Sequence, residues 1–193
     1  MTMKISSRNF TIFLFFVCLF SRVVTSIFHI EDIDSLRFAL SLHEFNILKL
    51  QPHFPGYPIF IFLAKFFHFV TGSMGISFSI IGSISLSILI IYTLKLFHIK
   101  LNSISGLVCT LILFFNPFFW LMSNRYMPDL MGLCVSIASL YFLTISTNRL
   151  QPLLLGFFLV GMLCGIRLSY VPLLALPIIY HMYKNRNRHF LFF

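Results

Sequence analysis

Residues 58–71 read PIFIFLAKFFHFVT, and whether this stretch crosses a membrane decides the topology of the whole chain. The stretch is apolar but only 14 residues long, and it contains Lys65 and His68. An α-helix needs about 20 apolar residues to cross about 30 Å of hydrocarbon. We therefore expect residues 58–71 to lie in the membrane interface as an amphipathic helix, with a seventh span as the alternative.

The composition of the chain indicates that lipid surrounds most of it. Of the 193 residues, 59% are hydrophobic and only 10% are charged. Soluble domains are about 25% charged and less than half apolar, so a soluble fold of this size has too little interior for this sequence. We expect an all-α membrane protein that forms a single transmembrane module over residues 1–193.

Six further segments are apolar and are candidates for transmembrane helices, of which the last three are short. They cover residues 10–28, 74–97, 103–122, 130–146, 150–166 and 169–183. The first is preceded by Lys4 and Arg8, as in a signal peptide, but Arg22 interrupts it and no A-x-A-like cleavage site follows. A retained first span is therefore favoured over cleavage. The expected first outer loop, about residues 28–73, would hold interfacial helices.

The distribution of charge favours six spans. With residues 58–71 in the interface, the N-terminal side receives basic residues and no acidic ones: Lys4, Arg8, Lys95, Lys100, Arg149, Lys184, Arg186 and Arg188. The other side receives all five acidic residues and these basic ones: Arg22, Arg37, Lys49, Lys65, Arg125 and Arg167. Because loops rich in lysine and arginine stay in the cytoplasm, we expect a multi-pass protein of the cell membrane with a cytoplasmic N-terminus.

The net charge of +9 does not indicate a nucleic-acid partner, because the basic residues flank hydrophobic segments and form no continuous stripe. Membrane lipids are the expected partners. The four cysteines are single and lie inside apolar stretches, without C-x-x-C spacing, which disfavours a metal or redox site. They are Cys18, Cys109, Cys134 and Cys164.

The first outer loop carries most of the acidic residues. From Ser35 to Ile47 the apolar residues recur every three or four positions, which predicts a helix on the membrane surface. Asp34 stands at the start of this helix, where it is either an N-cap or a functional carboxylate.

A proline-rich segment follows at residues 51–58, QPHFPGYP. Its three prolines exclude a helix, and Gly56 permits a sharp turn. We expect a rigid segment that holds His53 in a fixed place; the alternative is a plain connector.

The second outer connection, residues 123–129, reads SNRYMPD. Asp129 begins the next span, where it is either the N-cap of the helix or a site residue. The second alternative follows because an acid at the edge of a membrane helix is costly and is therefore a candidate functional residue. We expect Asp34 and Asp129 to meet on one face of the bundle. Arginines should lie nearby: Arg37, Arg125 and Arg167. Carboxylates beside arginines suit a reaction in which a base deprotonates an acceptor while cations hold a phosphate leaving group.

At these residues the chain resembles a known family. The stretch DSLRFALSLHEFNILKLQPHFPGYPIF (34–60) is similar to the first outer loop of polytopic GT-C-type glycosyltransferases, in particular bacterial members akin to protein O-mannosyltransferases and the aminoarabinose lipid A transferase. NPFFWLMSNRYMPDLMGL (116–133) resembles their second outer loop, and GIRLSYVP (165–172) a later Gly-x-Arg stretch. The resemblance covers about residues 10–183, the N-terminal part of a longer family chain.

The resemblance implies transfer of a sugar, as in a hexosyltransferase, from a polyprenyl-phosphate donor to an acceptor on the outer face of the membrane. In that reading Asp34 is the general base and Asp129 the second acid. His53, Gly56 and Tyr57 would form a substrate loop. Phe54 and Asn46 depart from the family pattern, in which a proline and an aspartate are common at these positions.

The arginines and the metal leave alternatives open. The donor phosphate would be bound by Arg167, Arg125 or Arg37, although each of these side chains could instead snorkel towards the membrane surface. A divalent metal bridging acid and phosphate is an option, with His53 and Glu44 as conceivable ligands; no other cofactor is expected.

Two further readings compete with the enzyme. One is a small-solute or proton-coupled transporter, in which acids and arginines line a pathway. The other is an inactive remnant. The sequence stops at RHFLFF, where another apolar run begins. We therefore expect a fragment, inactive by itself or completed by a partner chain that supplies the C-terminal half.

Overall fold

The computed structural model describes residues 6–145 and 150–184, without the side chain of Lys184. In these ranges the regular structure is helical, with no β-strand, which confirms the all-α fold class. Four of the eight basic residues assigned to the N-terminal side lie outside the described residues. They are Lys4, Arg149, Arg186 and Arg188.

The α-helices follow one another closely along the chain. They are α1 (Ser7–Val24), α2 (Ile33–Ser41), α3 (Pro58–Thr71), α4 (Met74–Leu96), α5 (Ile104–Phe115), α6 (Pro117–Asn124), α7 (Asp129–Ile145), α8 (Leu150–Ile166) and α9 (Ala175–Lys184). Two 3₁₀ helices cover Ile47–Lys49 and Leu168–Leu174.

In the described part of the chain, α1 and α4 are long and apolar enough to cross a membrane. The bent pair of α5 and α6 adds a third candidate if the two helices form one span. Shorter apolar helices are α3, α7, α8 and the run Leu168–Tyr183. These apolar helices indicate association with a membrane.

Helix α4 is the centre of the bundle, where it packs against α1, α3, α5, α6 and α7. Its buried face is rich in serine and glycine, which let neighbouring backbones approach closely. The closest approach is at Gly82, where an added Cβ would lie 1.8 Å from the carbonyl oxygen of Ser123 in α6. Close van der Waals packing of this kind is the main source of helix association in lipid.

The candidate span predicted over residues 103–122 consists of two helices, not one. The helix breaks between Phe115 and Pro117, and α5 and α6 meet at an angle of 57°. Pro117 has no N–H and disfavours helical geometry in the residue before it, so Asn116 has an extended ψ of 121°. The Asn116 side chain then caps the new helix by accepting from the backbone N–H of Phe118 at 2.9 Å.

Helix α3 crosses the start of α4 and does not run antiparallel along it. The rings of Phe60 and Phe78 lie 5.8 Å apart, and the hydroxyls of Thr71 and Ser77 lie 3.0 Å apart. The two α3 residues are about 16 Å apart along their helix, whereas their α4 partners are neighbours in sequence. Both ends of α3 therefore lie at the same end of the bundle.

The helix predicted over residues 35–47 is shorter than that range. Helix α2 ends at Ser41, and Asn46 starts a separate 3₁₀ turn by accepting from the backbone N–H groups of Leu48 and Lys49. The N-cap of α2 is Asp32, which accepts from the backbone N–H of Ser35 at 2.7 Å. The N-cap interpretation of Asp34 is therefore wrong.

Candidate functional site

A chain of polar contacts connects Asp34 to Asp129 at one end of the bundle. His53 Nδ1 lies 3.6 Å from Asp34 Oδ1, and His53 Nε2 lies 3.0 Å from the Tyr57 hydroxyl. Arg167 donates to that hydroxyl from Nη1 at 3.4 Å and pairs through Nη2 with Asp129 Oδ1 at 2.9 Å. The segment from α2 to the start of α3, the start of α7 and the end of α8 therefore contribute to one site.

The proline-rich segment places His53 and Tyr57. Both rings pack edge-on against the buried ring of Phe38 in α2, at 5.5 and 5.1 Å between centroids. Gly56 has a φ of +92°, and a Cβ there would lie 2.9 Å from the side chain of Ile47. This turn therefore requires glycine. The proline-rich segment therefore has a structural role, because it holds the rings of His53 and Tyr57 next to the acidic residues.

The Tyr57 hydroxyl remains protonated at neutral pH. Burial raises its pKa, Arg167 opposes the rise, and the negative charges of Asp129 and Asp34 add to it. Arg167 donates to the Tyr57 oxygen from one side, and His53 Nε2 forms its other hydrogen-bonding contact at 3.0 Å. The second ring nitrogen, His53 Nδ1, is buried, faces Asp34 and has no hydrogen-bond partner among the described residues.

Asp34 lies between two basic side chains. Arg37 Nη1 donates to Asp34 Oδ1 at 3.1 Å, and the same oxygen faces His53. The carboxylate is 41% exposed, so a small molecule has access to it. Arg37 does not line the cavity described next, so its predicted contact with a donor phosphate has no support in this geometry.

A cavity of about 240 Å³ opens beside Asp129 and Arg167. Arginines and apolar side chains line it together. The lining residues are Phe118, Met122, Arg125, Met127, Asp129, Leu130, Leu133, Arg167 and Tyr170. Asp129 Oδ2 and Arg167 Nε are both buried and have no hydrogen-bond partner among the described residues. Buried polar atoms without partners are costly, so this pair is suited to a ligand that both accepts and donates hydrogen bonds.

Arg125 lines the same cavity but is already neutralised. Its Nε donates to Glu31 at 2.8 Å, and its Nη2 contacts Asp32. Burial works to raise the pKa of Asp32, but hydrogen bonds from Ser35 and the charge of Arg125 together lower it. Of the arginines predicted to bind phosphate, Arg167 is therefore the one that lines the cavity and has a nitrogen, Nε, without a partner among the described residues.

The sequence reasoning missed several parts of this site. It did not pair Arg125 with the acids of the first loop, nor did it include Tyr170, Phe118 and Met122 in the cavity. The motif GIRLSY contains both Arg167 and Tyr170, and this spacing was the available signal.

The described residues contain no group of three or more His, Cys, Asp or Glu side chains that could hold a metal ion. Glu44, one of the conceivable ligands, is exposed and pairs with Lys49 at 2.8 Å. His53 has the single carboxylate of Asp34 beside it. A metal bridge at this site therefore lacks a ligand set.

Fold and site together define a class: a helical, membrane-associated chain with an amphipathic, arginine-lined cavity at one end of its bundle. No protein-family model, no curated protein and no solved structure matches the chain. The resemblance to GT-C-type glycosyltransferases therefore stays a prediction.

Proposed function

We propose that this chain is the N-terminal transmembrane module of a glycosyltransferase that takes its sugar from a polyprenyl-phosphate donor. The observation that carries the proposal is the contact chain from Asp34 to Asp129, beside a cavity lined by both arginine and apolar side chains. A lipid-linked phosphate has this same division between a charged head and an apolar tail.

The proposed topology has six spans and a cytoplasmic N-terminus. The spans are α1, α4, the α5–α6 pair, α7, α8 and the run Leu168–Tyr183, with α2 and α3 in the interface. Two contacts support this arrangement: Asn124 donates to Thr25, and Arg167 pairs with Asp129. They bring the ends of α1, α6 and α8 together with the start of α7, as an alternating bundle requires.

In the proposed reaction, Asp34 accepts the proton of an acceptor hydroxyl while the hydroxyl oxygen attacks C1 of the donor sugar. The bond between C1 and the phosphate oxygen breaks, and the polyprenyl phosphate leaves as an anion. Arg167 stabilises the developing phosphate charge. Asp129 and Tyr57 orient Arg167, and His53 orients Tyr57, so the guanidinium is held in place before the donor binds.

The dimensions of the cavity limit what it binds. Pockets for drug-sized ligands occupy about 300–1,000 Å³, and this cavity is smaller. It therefore suits the phosphate and the first part of the lipid, with the sugar directed towards Asp34. The remaining lipid chain would lie along the exposed apolar face of the bundle.

Binding of the lipid phosphate is the first test. The chain would be reconstituted in lipid nanodiscs, and retention of added polyprenyl phosphate measured by native mass spectrometry. Arg167→Gln removes the available cation and should reduce binding at least about tenfold, because a charged hydrogen bond contributes about 1.5–3 kcal/mol. Lys49→Gln, an exposed change beside Glu44, is the control and should bind normally.

Catalysis is the second test, in the full-length gene context. Asp34→Asn should retain binding of polyprenyl phosphate and abolish sugar release, because the amide cannot accept the acceptor proton. Turnover at the wild-type rate in Asp34→Asn would remove Asp34 as the base. Binding by Arg167→Gln equal to that of wild type would refute the phosphate site.

A transporter is the second candidate, and the partly buried pair of Asp129 and Arg167 is the observation that favours it. Intramembrane ion pairs are typical of solute and proton pathways. Against it, Asp129 is the first residue of α7 and not a mid-span residue. Solute-dependent proton uptake into vesicles, lost in Asp129→Asn, would favour the transporter over the enzyme.

A further inference from the structure

Arg22, in the last turn of α1, is fully buried with an exposed fraction of 0%. Its Nε donates to Ser123 Oγ at 2.8 Å, its Nη2 to the carbonyl of Phe114 at 3.0 Å, and its Nη1 to Ser21 Oγ at 3.2 Å. The guanidinium carbon lies 3.7 Å from the centre of the Trp120 ring, and a second ring, that of Phe114, lies 4.7 Å away. Each nitrogen of this guanidinium therefore has an acceptor.

No acidic residue in the described part of the chain forms an ion pair with Arg22. The ion pairs there belong to Arg37, Lys49, His53, Arg125 and Arg167. A buried cation without a carboxylate is costly unless hydrogen bonds and aromatic faces replace its water. The sequence placed Arg22 among the basic residues of the outer side, yet its side chain does not reach solvent.

The acceptors of Arg22 lie on both sides of the bend between α5 and α6. Phe114 is in the last turn of α5, and the N–H of Phe118 that would bond to its carbonyl in a continuous helix donates to Asn116 instead. The break therefore frees this carbonyl, and Arg22 satisfies it. Ser123, the other acceptor, is in the last turn of α6.

The bend determines where one wall of the cavity stands. Helix α6 contributes Phe118 and Met122 to that wall, and Arg125 follows directly after the helix. We propose that Arg22 is a positioning residue that holds the 57° bend and thereby keeps the α6 wall beside Arg167. This role goes beyond the proposed reaction and holds for whichever ligand the cavity takes.

Hydrogen–deuterium exchange of the chain in nanodiscs tests this role locally. Arg22→Lys keeps the charge but cannot reach both acceptors, so amides from residues 114–127 should exchange at least about tenfold faster, the size expected for one lost charged hydrogen bond. Amides of α7 and α8 should exchange as in wild type. A merely structural role would accelerate exchange throughout the bundle, and that result would overturn the proposal.

Trp120 supplies an independent spectroscopic signature, because it is the single tryptophan of the chain. Arg22→Met and Arg22→Lys should shift its emission and increase its quenching by iodide, since one face of the ring is uncovered. Arg8→Met is the matched control, an exposed arginine at the start of the same helix, and should leave both signals unchanged.

Ser123→Ala keeps the test decisive if Arg22→Met does not fold. It removes one acceptor and should accelerate exchange in residues 114–127 to a smaller extent than Arg22→Lys. Unchanged exchange in both Arg22→Lys and Ser123→Ala would overturn the proposal. Neither result depends on binding of polyprenyl phosphate, so failure of the glycosyltransferase hypothesis would leave this test intact.

Discussion

Two arginines of this chain are withdrawn from water in different ways. Arg22 lies inside the bundle, with every nitrogen bonded to a neutral acceptor and two aromatic rings against its faces. Arg167 lies at the end of the bundle, with Asp129 as its counter-charge, a side chain 26% exposed and an unpartnered Nε. The described residues therefore satisfy every donor nitrogen of Arg22, whereas Arg167, which lines the cavity, keeps one nitrogen without a partner among them.

The packing around these two arginines also differs. Around Arg22 the helices approach so closely that Gly82 contacts the backbone of Ser123 directly. Around Arg167 the packing leaves a cavity of about 240 Å³. Dense packing makes the interior sensitive to one added methyl group, while the open site should tolerate changes in volume and respond to changes in charge.

The largest effect on stability is expected from Gly82→Ala, which disrupts the close packing of α4 against α6 near Arg22. The added Cβ would meet the Ser123 carbonyl oxygen at 1.8 Å, so α4 and α6 must separate. Overpacking against rigid backbone costs about 3 kcal/mol or more. We expect loss of folded protein, or a large fall in the thermal midpoint, measured by size-exclusion chromatography and thermal unfolding in detergent.

Gly161→Ala is the matched control, because nothing lies within 4 Å of the position of its added Cβ. Alanine is the better helix former, so this variant should be as stable as wild type or more so, by about 0.5–1 kcal/mol. Equal stability of the two variants would mean that α4 and α6 do not pack as described.

A smaller effect on stability is expected from Tyr57→Phe, which tests the site around Arg167. The ring keeps its packing against Phe38, but His53 and Arg167 lose the shared hydroxyl. We expect a loss of about 1–2 kcal/mol in the free energy of unfolding, together with weaker binding of polyprenyl phosphate, because Arg167 is no longer oriented.

Tyr126→Phe is the control for this change. The hydroxyl of Tyr126 donates to the carbonyl of Ile27 at 2.7 Å, so its removal should cost a similar free energy of unfolding. Tyr126 is not part of the cavity wall, and lipid binding should stay normal. Equal binding by Tyr57→Phe and Tyr126→Phe would remove Tyr57 from the site.

The smallest effect is expected from Asp32→Asn, measured as a function of pH. The amide can still cap α2, so the substitution removes mainly the charge that faces Arg125. Because the pKa of Asp32 is lowered in the folded chain, its stabilising charge is fully present above its ordinary pKa of 3.8 and is lost as the pH falls through the folded value.

The side chain of Asp32 is 33% exposed, so solvent screens the pair and its contribution should be under about 1 kcal/mol. Wild type should therefore be slightly more stable than Asp32→Asn at neutral pH, and the difference should shrink below about pH 4. A difference in thermal midpoint that does not change with pH would contradict this account.

The positions of most helices could be predicted from the sequence. The predicted segment 150–166 matches α8, and 74–97 and 130–146 agree with α4 and α7 to within one residue at each end. The prediction failed where one polar or proline residue overrides a regular apolar pattern. Pro117 breaks a run that reads as one span, and Asn46 starts a new turn where helix periodicity continues.

Of the candidate site, the residue types could be predicted but not their pairing. The sequence brought Asp34, Asp129 and Arg167 forward because acids and arginines are rare in so apolar a chain. It grouped Arg37 and Arg125 with Arg167 because all were assigned to one face. The structure pairs Arg37 with Asp34, and Arg125 with the acids that precede α2.

By itself, the sequence determined that this protein is helical and suited to lipid, and where its helices lie, because length and apolar content are properties of local segments. The tertiary structure decided which arginine is sealed inside the bundle and which keeps a donor for a ligand. Arg22 contacts Ser123, and Arg167 contacts Tyr57; the two residues of each pair are about 100 positions apart in the sequence. No local pattern encodes such contacts, because they depend on how the helices pack around α4.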